Sequence, residues 1–202
     1  DGLTIACTPA RHYSSRMVVD GGKTLFASWV LKDEYHQVFE SGDTGYGGHF
    51  KAIHEAYGDF DLVLTDCAQY NMKWHNIHML PEEAVSACET LGTGLAVPVH
   101  WGAYSLSDHA WDDPAERFVK SAEEKELAVC KEELLTACKA LSQIRKTAAV
   151  ELEEKIKVEL AQLNFNNAEF IIAFNTSESF TPDGIDIIEF LISTNRGEPV
   201  KP

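Results

Sequence analysis

Three side chains far apart along the chain have the type and setting to hold a metal ion. Asp43 sits in SGDTGYGG, just past an extended apolar run and inside a cluster of glycines. His12 in TPARHYSSR and His100 in VPVHWGAY each follow an expected strand and precede small or turn-forming residues. Loops at strand ends hold a side chain in place while leaving its tip accessible. Imidazole nitrogen and carboxylate oxygen suit a Zn²⁺-type ion, with ligand bonds of about 2.0–2.2 Å. A carboxylate can also bridge two ions that share a hydroxide. The rival reading of the glycines, a phosphate cradle, lacks both the G-x-G-x-x-G spacing and the G-K-[ST] ending of such loops. Taken singly, each histidine also reads as a hydrogen-bonded structural residue, and the residues alone leave both readings open.

The elements that must position these groups alternate in type. LTIACT, LFASWVL and HQVFES read as strands by their apolar and β-branched content. GHFKAIHEAYG reads as a short amphipathic helix closed by Gly58, and FDLVLTD as a buried-type strand. LPEEAVSACETLG has Pro81 in its first turn, early acidic residues and Gly92 at its end, the marks of a helix. GLAVPVHWGAY is a strand running into a polar loop. Composition then changes near residue 112. All eight histidines lie at or before His109, and all four tryptophans at or before Trp111. Beyond them come Glu, Lys, Leu and Ala, so we expect two modules with a seam at residues 118–130.

In the second module Leu127, Cys130, Leu134, Ala137, Leu141, Ile144, Ala148, Leu152, Ile156, Leu160 and Leu163 recur at steps of three and four. That predicts one apolar stripe on a helix of about 40 residues. A partner helix in an antiparallel coiled coil would cover such a stripe. AEFIIAFN and GIDIIEFLIST then read as two strands joined by a Thr-Pro-Asp-Gly turn.

A net charge of −15 argues against a direct nucleic-acid site, because phosphate contacts need clustered Lys and Arg. No apolar stretch approaches the roughly 20 residues that span a bilayer. The five cysteines form no C-x-x-C pair, which fits reduced thiols and a cytoplasmic setting. Of the remaining aromatic and imidazole groups, Trp74 and Trp101 suit pocket or core, and Tyr70 a place near the site. His49 and His54 suit the helix, and His36 and His109 loops or surface.

TPARHYSSR, SGDTGYGGHFKAI, GDFDLVLTDCAQYNMKWHNIHMLPEEAV and VPVHWGAYSLSDHAWDDPAERF follow one another in fixed order. Together they resemble the C-terminal half of metallo-β-lactamase-fold hydrolases, nearest the branch of L-ascorbate-6-phosphate lactonase and N-acyl-phosphatidylethanolamine-hydrolysing phospholipase D. The resemblance covers residues 1–126. It implies an α/β (α+β) chain holding half of an αββα sandwich, followed by a long coiled-coil-type helix and a β-hairpin. By the same resemblance His12 would be a ligand of one Zn²⁺ ion and His100 of a second. Asp43 would bridge the two and position a hydroxide, and His78 would line the substrate pocket. The implied substrate is a small phosphoester or lactone. Members of the family also carry an upstream H-x-H-x-D-H motif, and nothing in this chain matches it. We therefore expect weak zinc binding and little or no hydrolysis by the chain alone.

Residues 127–202 resemble an unrelated family. LSQIRKTAAVELEEKIKVELAQLNFNNAEFIIAF followed by FTPDGIDIIEFLISTNRGEPVKP is similar to the bacterial DNA-repair protein RecN. In that family the helix is the returning arm of a coiled coil, and the strands enter the ATPase head. No G-x-x-x-x-G-K-[ST] occurs here, so no residue is assigned to nucleotide binding. The simplest expectation is a composite or fragmentary reading frame. Its alternative reading is a non-catalytic coiled-coil fragment from double-strand-break repair, joined to a hydrolase remnant.

Overall fold

In the computed structural model, which describes residues 2–14, 22, 24–102, 104–194 and 199–201, the expected mixed α/β architecture forms. The chain divides into two compact units, Asp1–Glu126 and Leu127–Pro202. In the first, the apolar runs become β1 (Thr4–Pro9), β2 (Ala27–Lys32), β3 (Gln37–Glu40), β4 (Leu62–Asp66) and β5 (Ala96–Val99). They lie in one sheet in sequence order. β1–β2 and β2–β3 are antiparallel, whereas β3–β4 and β4–β5 are parallel. The tight β2–β3 turn is fastened by Asp33, whose Oδ1 accepts from the Tyr35 and His36 amides at 2.7 and 2.6 Å. Parallel neighbours need a crossover, and helices α1 (His49–Tyr57) and α2 (Pro81–Thr90) supply the two. Consequently β1, β3, β4 and β5 all point the same way, and their carboxyl ends share one edge of the sheet.

Alternation along the strands decides what is buried. Val30, Phe39 and Val63 turn toward the helices and are at most 1 % exposed. They meet Phe50 and Ile53 of α1, and Ala84, Ala87 and Leu91 beside them. The opposite face carries Ile5, Trp29 and Val97, which remain exposed among the described residues.

Helix α3 runs over Asp113–Gln162, 50 residues against the expected stretch of about 40, and the extension lies at its N-terminal end. Pro114 in its first turn, with Asp113 and Glu116, starts it ahead of the compositional seam. Within the first unit Phe118 joins the core, and Arg117 makes a two-pronged ion pair with Glu82 at 2.7 and 2.9 Å.

In the second unit β6 (Glu169–Thr181) and β7 (Gly184–Ser193) form the expected antiparallel hairpin. The helical row that packs with this hairpin keeps Ile156 and Leu160 of the expected stripe and adds residues outside it. Ala149, Ile156 and Leu160 meet Phe170, Ile172 and Phe174. Ser142 donates to Asp186 at 2.7 Å, Arg145 pairs with the same carboxylate at 3.2 Å, and Glu153 accepts from the Ile172 amide at 2.6 Å. Small side chains let the hairpin approach, and polar ones satisfy its backbone and its buried acid. Leu127, Leu134, Leu141, Ile144, Leu152 and Leu163 stay exposed instead. No helix of the described residues is long and apolar enough to cross a membrane.

All five cysteines are free, with Cys7 and Cys130 exposed and Cys67, Cys88 and Cys138 buried. Burial pushes the Cys67 and Cys88 thiols up to about 12, far from the reactive thiolate. Native chain at neutral pH should therefore titrate as two fast thiols with a disulfide reagent, and the other three should react only in denaturant. Five thiols reacting together without denaturant would contradict this packing.

Candidate metal centre

The shared edge of strand ends gathers the expected side chains. His12 follows β1, Asp43 follows β3, and His100 directly follows β5. The Ser28 hydroxyl on β2 ties the strand ends together, donating to Ser41 O at 2.6 Å in a buried hydrogen bond and reaching Pro9 O at 3.3 Å. The loop after β3 is then fixed by its glycines. Gly42 has φ +56°, a left-handed conformation that L side chains resist, and a Cβ there would lie 2.6 Å from Ala27 O. Gly45 presses against the Asn76–Ile77 backbone, so the glycine cluster serves close approach. The Gly45 amide donates to Arg11 O at 2.9 Å, and the Arg11 amide donates to Thr44 Oγ1 at 2.8 Å. Asp43 is thereby held beside the His12 loop.

Five groups converge there. The His12, Asp43 and His78 ligand atoms lie within 4.8 Å of one another, and so do those of Asp66, His78 and His100. His100 Nδ1 stands 3.3 Å from Asp43 Oδ1 and 3.2 Å from Asp66 Oδ1. The ring centroids of His12 and His78 are 5.1 Å apart, and those of His78 and His100 are 5.4 Å apart. His100 has φ +71°, an uncommon backbone state for a residue with a side chain and one that clusters at functional sites. Its hydrogen bond to Asp66 raises its pKa above the usual histidine value against the opposing effect of burial, and Asp43 adds to the rise.

His12 supplies the test of fit to a metal. Its Nδ1 donates to Tyr13 O at 2.6 Å, which leaves Nε2 with a lone pair in the neutral ring. That Nε2 is buried and has no hydrogen-bond partner among the described residues. A bare basic nitrogen facing a carboxylate and a second imidazole is what a divalent cation satisfies, so the donor set fits such an ion.

Asp66 is the member that sequence reasoning missed. It ends β4 fully buried, where it reads as the last residue of an apolar strand. Burial alone would raise its carboxyl pKa, yet hydrogen bonds from His100, His78 and the Thr44 amide hold it below the usual value.

The other aromatic and imidazole groups separate from this centre. A cavity of about 330 Å³ opens beside it, with Trp74, Ile77, Tyr104 and Leu106 as apolar wall and His78 and His100 as polar lining. Tyr70, expected near the site, lines a different cavity, donates to Asp113 at 2.5 Å and stacks on His109 at 4.1 Å. Trp101 stacks on Trp111 at 5.7 Å. His54 pairs with Asp59 at 2.9 Å, and exposed His36 lies by Asp33. His49 is half-buried against Thr44, and burial with the nearby Arg11 charge lowers its pKa.

Residues 1–101 match the beta-lactamase superfamily domain. An uncharacterized protein of Mycobacterium tuberculosis is 43% identical over 132 residues, covering 64% of this chain and 35% of that protein. The mitochondrial N-acyl-phosphatidylethanolamine-hydrolyzing phospholipase D of Saccharomyces cerevisiae is 35% identical over 124 residues, 59% of this chain and 26% of its own length. The DNA repair protein RecN of Halalkalibacterium halodurans is 40% identical over 83 residues, 39% of this chain and 15% of that protein. The chain thus spans about a third of the length of the first relatives it matches.

Proposed function

The chain belongs to the beta-lactamase superfamily domain family, and from that premise we propose that its first unit supplies part of the metal site of a phosphodiester or lactone hydrolase. The observation that carries this reading is the buried, unpartnered His12 Nε2 beside Asp43 and His78. In this reading His12, Asp43 and His100 would hold the metal ions, His12 and His100 as separate nitrogen ligands and Asp43 as the carboxylate they share. When bound, such ions lower the pKa of water and polarise an ester or phosphoryl oxygen. The chain's own groups then have separate tasks. Asp43 would supply the shared carboxylate oxygens, His78 faces substrate across the cavity, and the Trp74, Ile77 and Leu106 wall holds an apolar group of the substrate while excluding water. An ester with an acyl or other apolar arm suits that wall, in keeping with the lipid substrate named for the yeast relative. Five free thiols support a reducing, cytoplasmic setting.

The number of ligands limits the affinity. Three protein ligands shared across two ions fall short of the three or four per ion usual at zinc sites, and no H-x-H-x-D-H occurs in the sequence to add more. Zinc titration of the 202-residue chain should therefore show weak, substoichiometric binding and little hydrolysis of a phosphodiester reporter. Two tightly held ions per chain would overturn this part of the reading.

A second reading rests on the RecN similarity of the second unit. Here that unit is a non-catalytic arm whose exposed leucine row receives a partner helix. A pull-down with the opposing RecN arm tests it, and failure to bind removes the support.

A further inference from the structure

Asp66 is the most completely satisfied acid at the centre, and its partners identify its task. Its Oδ2 accepts from the Thr44 amide and from His78 Nδ1, both at 3.0 Å. Its Oδ1 accepts from the Ala68 amide at 3.1 Å and from His100 Nδ1 at 3.2 Å. A carboxylate offers about four lone-pair sites, and here all four face an N–H donor. Although its oxygens are near enough to the two imidazoles to share a cation with them, no lone pair is left for a metal ion. The strand and loop around it are also immobilised, because the Asp66 amide donates to Ser41 Oγ at 2.7 Å.

We propose that Asp66 is a positioning residue that fixes two imidazoles at once. By accepting from Nδ1 of both His78 and His100, it selects the Nδ1–H tautomer in each ring. The basic nitrogen left over in each ring is Nε2, on the side of the ring away from the carboxylate, and both rings line the cavity. Imidazoles that bind metals commonly donate their other nitrogen to a carboxylate in this way, which orients the ring and raises its basicity. One buried acid therefore ties the proposed His100 ligand to the proposed substrate-facing His78, so that the two rings cannot rotate independently. His100 Nδ1 has a second acid, Asp43 Oδ1, at 3.3 Å, and a cation that occupied Asp43 would leave Asp66 as the sole acceptor of that proton. The consequence for metal binding rests on the hydrolase reading above, whereas the tautomer assignment does not.

The experiment separates the two. Two-bond ¹H–¹⁵N correlation spectra of metal-free, histidine-labelled full chain, taken above the pH at which the rings titrate, report which ring nitrogen carries the proton. His78 and His100 should both read as Nδ1–H. In Asp66→Asn the amide oxygen can accept from one ring only and the amide nitrogen faces the other as a donor, so at least one ring should revert to Nε2–H. Zinc affinity, measured by competition with a chromophoric chelator, should fall about 10–100-fold in the same variant. Nε2–H signals for both rings in the unsubstituted chain would overturn the assignment, and this measurement needs no variant to fold. A zinc affinity unchanged in a folded Asp66→Asn chain with shifted tautomers would overturn the positioning role. Correct tautomers in a chain that binds no zinc would count against the hydrolase reading alone.

Discussion

Asp43→Asn is expected to lower zinc affinity by roughly 10²–10³-fold while leaving the thermal midpoint nearly unchanged. Structural zinc sites of four ligands bind with about 10–16 kcal/mol, so each ligand accounts for about 3–4 kcal/mol, or two to three powers of ten. The carboxylate matters more than its share because it lies between both histidine groups, 3.3 Å from His100 and in the cluster with His12 and His78. Stability should barely respond. The Asp43 side chain is 51% exposed, asparagine keeps its shape, and ion pairs at such exposure contribute about 0–1 kcal/mol. Calorimetric zinc titration checks the first half and thermal melting checks the second. His36→Ala serves as a control, since it removes an exposed imidazole far from the centre and should leave zinc binding intact. Equal affinities for Asp43→Asn and the unsubstituted chain would remove Asp43 from the ligand set.

The strands and helices of the first unit were legible because each carries its own local signal: β-branched apolar runs, Pro81 at a helix start, and Gly58 and Gly92 at helix ends. The strand-end placement of His12, Asp43 and His100 was legible for the same reason. Asp66 was not, because its meaning lies entirely in partners that are 22, 12 and 34 residues away and meet only through the sheet order. A lone acid closing an apolar strand has no pattern of its own. The glycine loop was half-legible. Its spacing excluded a phosphate cradle, yet nothing in the sequence says that Gly45 faces the backbone at residue 76. The long helix was legible in part. Periodicity found Ile156 and Leu160, which pack with the hairpin, but docking of β6–β7 also uses Ser142, Arg145, Ala149 and Glu153, where small size and hydrogen bonds outweigh apolar area. Hydrophobic spacing sees only one of the two ways a helix face can be occupied.

Gly45→Ala should test whether this packing or the metal ligands themselves set the geometry of the centre. The added methyl group would overlap the Asn76 carbonyl and stand 2.9 Å from the Ile77 nitrogen, and backbone cannot swing aside as a flexible side chain can. Overpacking of this kind costs about 1–3 kcal/mol, occasionally more, and a site bounded by backbone belongs at the upper end. For a unit of this size about 3 kcal/mol lowers the midpoint by roughly 10 °C. Gly94→Ala is the matched control, because nothing lies within 4 Å of its Cβ position and its φ is not left-handed, so its midpoint should hold. The chain can relieve the Gly45 collision only by moving the 43–46 loop away from the loop that carries His78. Either movement separates Asp43 from His12 and His78, and a displacement of about 1 Å at such a centre can cost on the order of 10²-fold in function. Zinc affinity should therefore fall in Gly45→Ala although no donor atom has been removed. If the midpoint falls and zinc affinity does not, the ligands find their geometry without help from the glycine contact, and the loop's close approach serves stability alone.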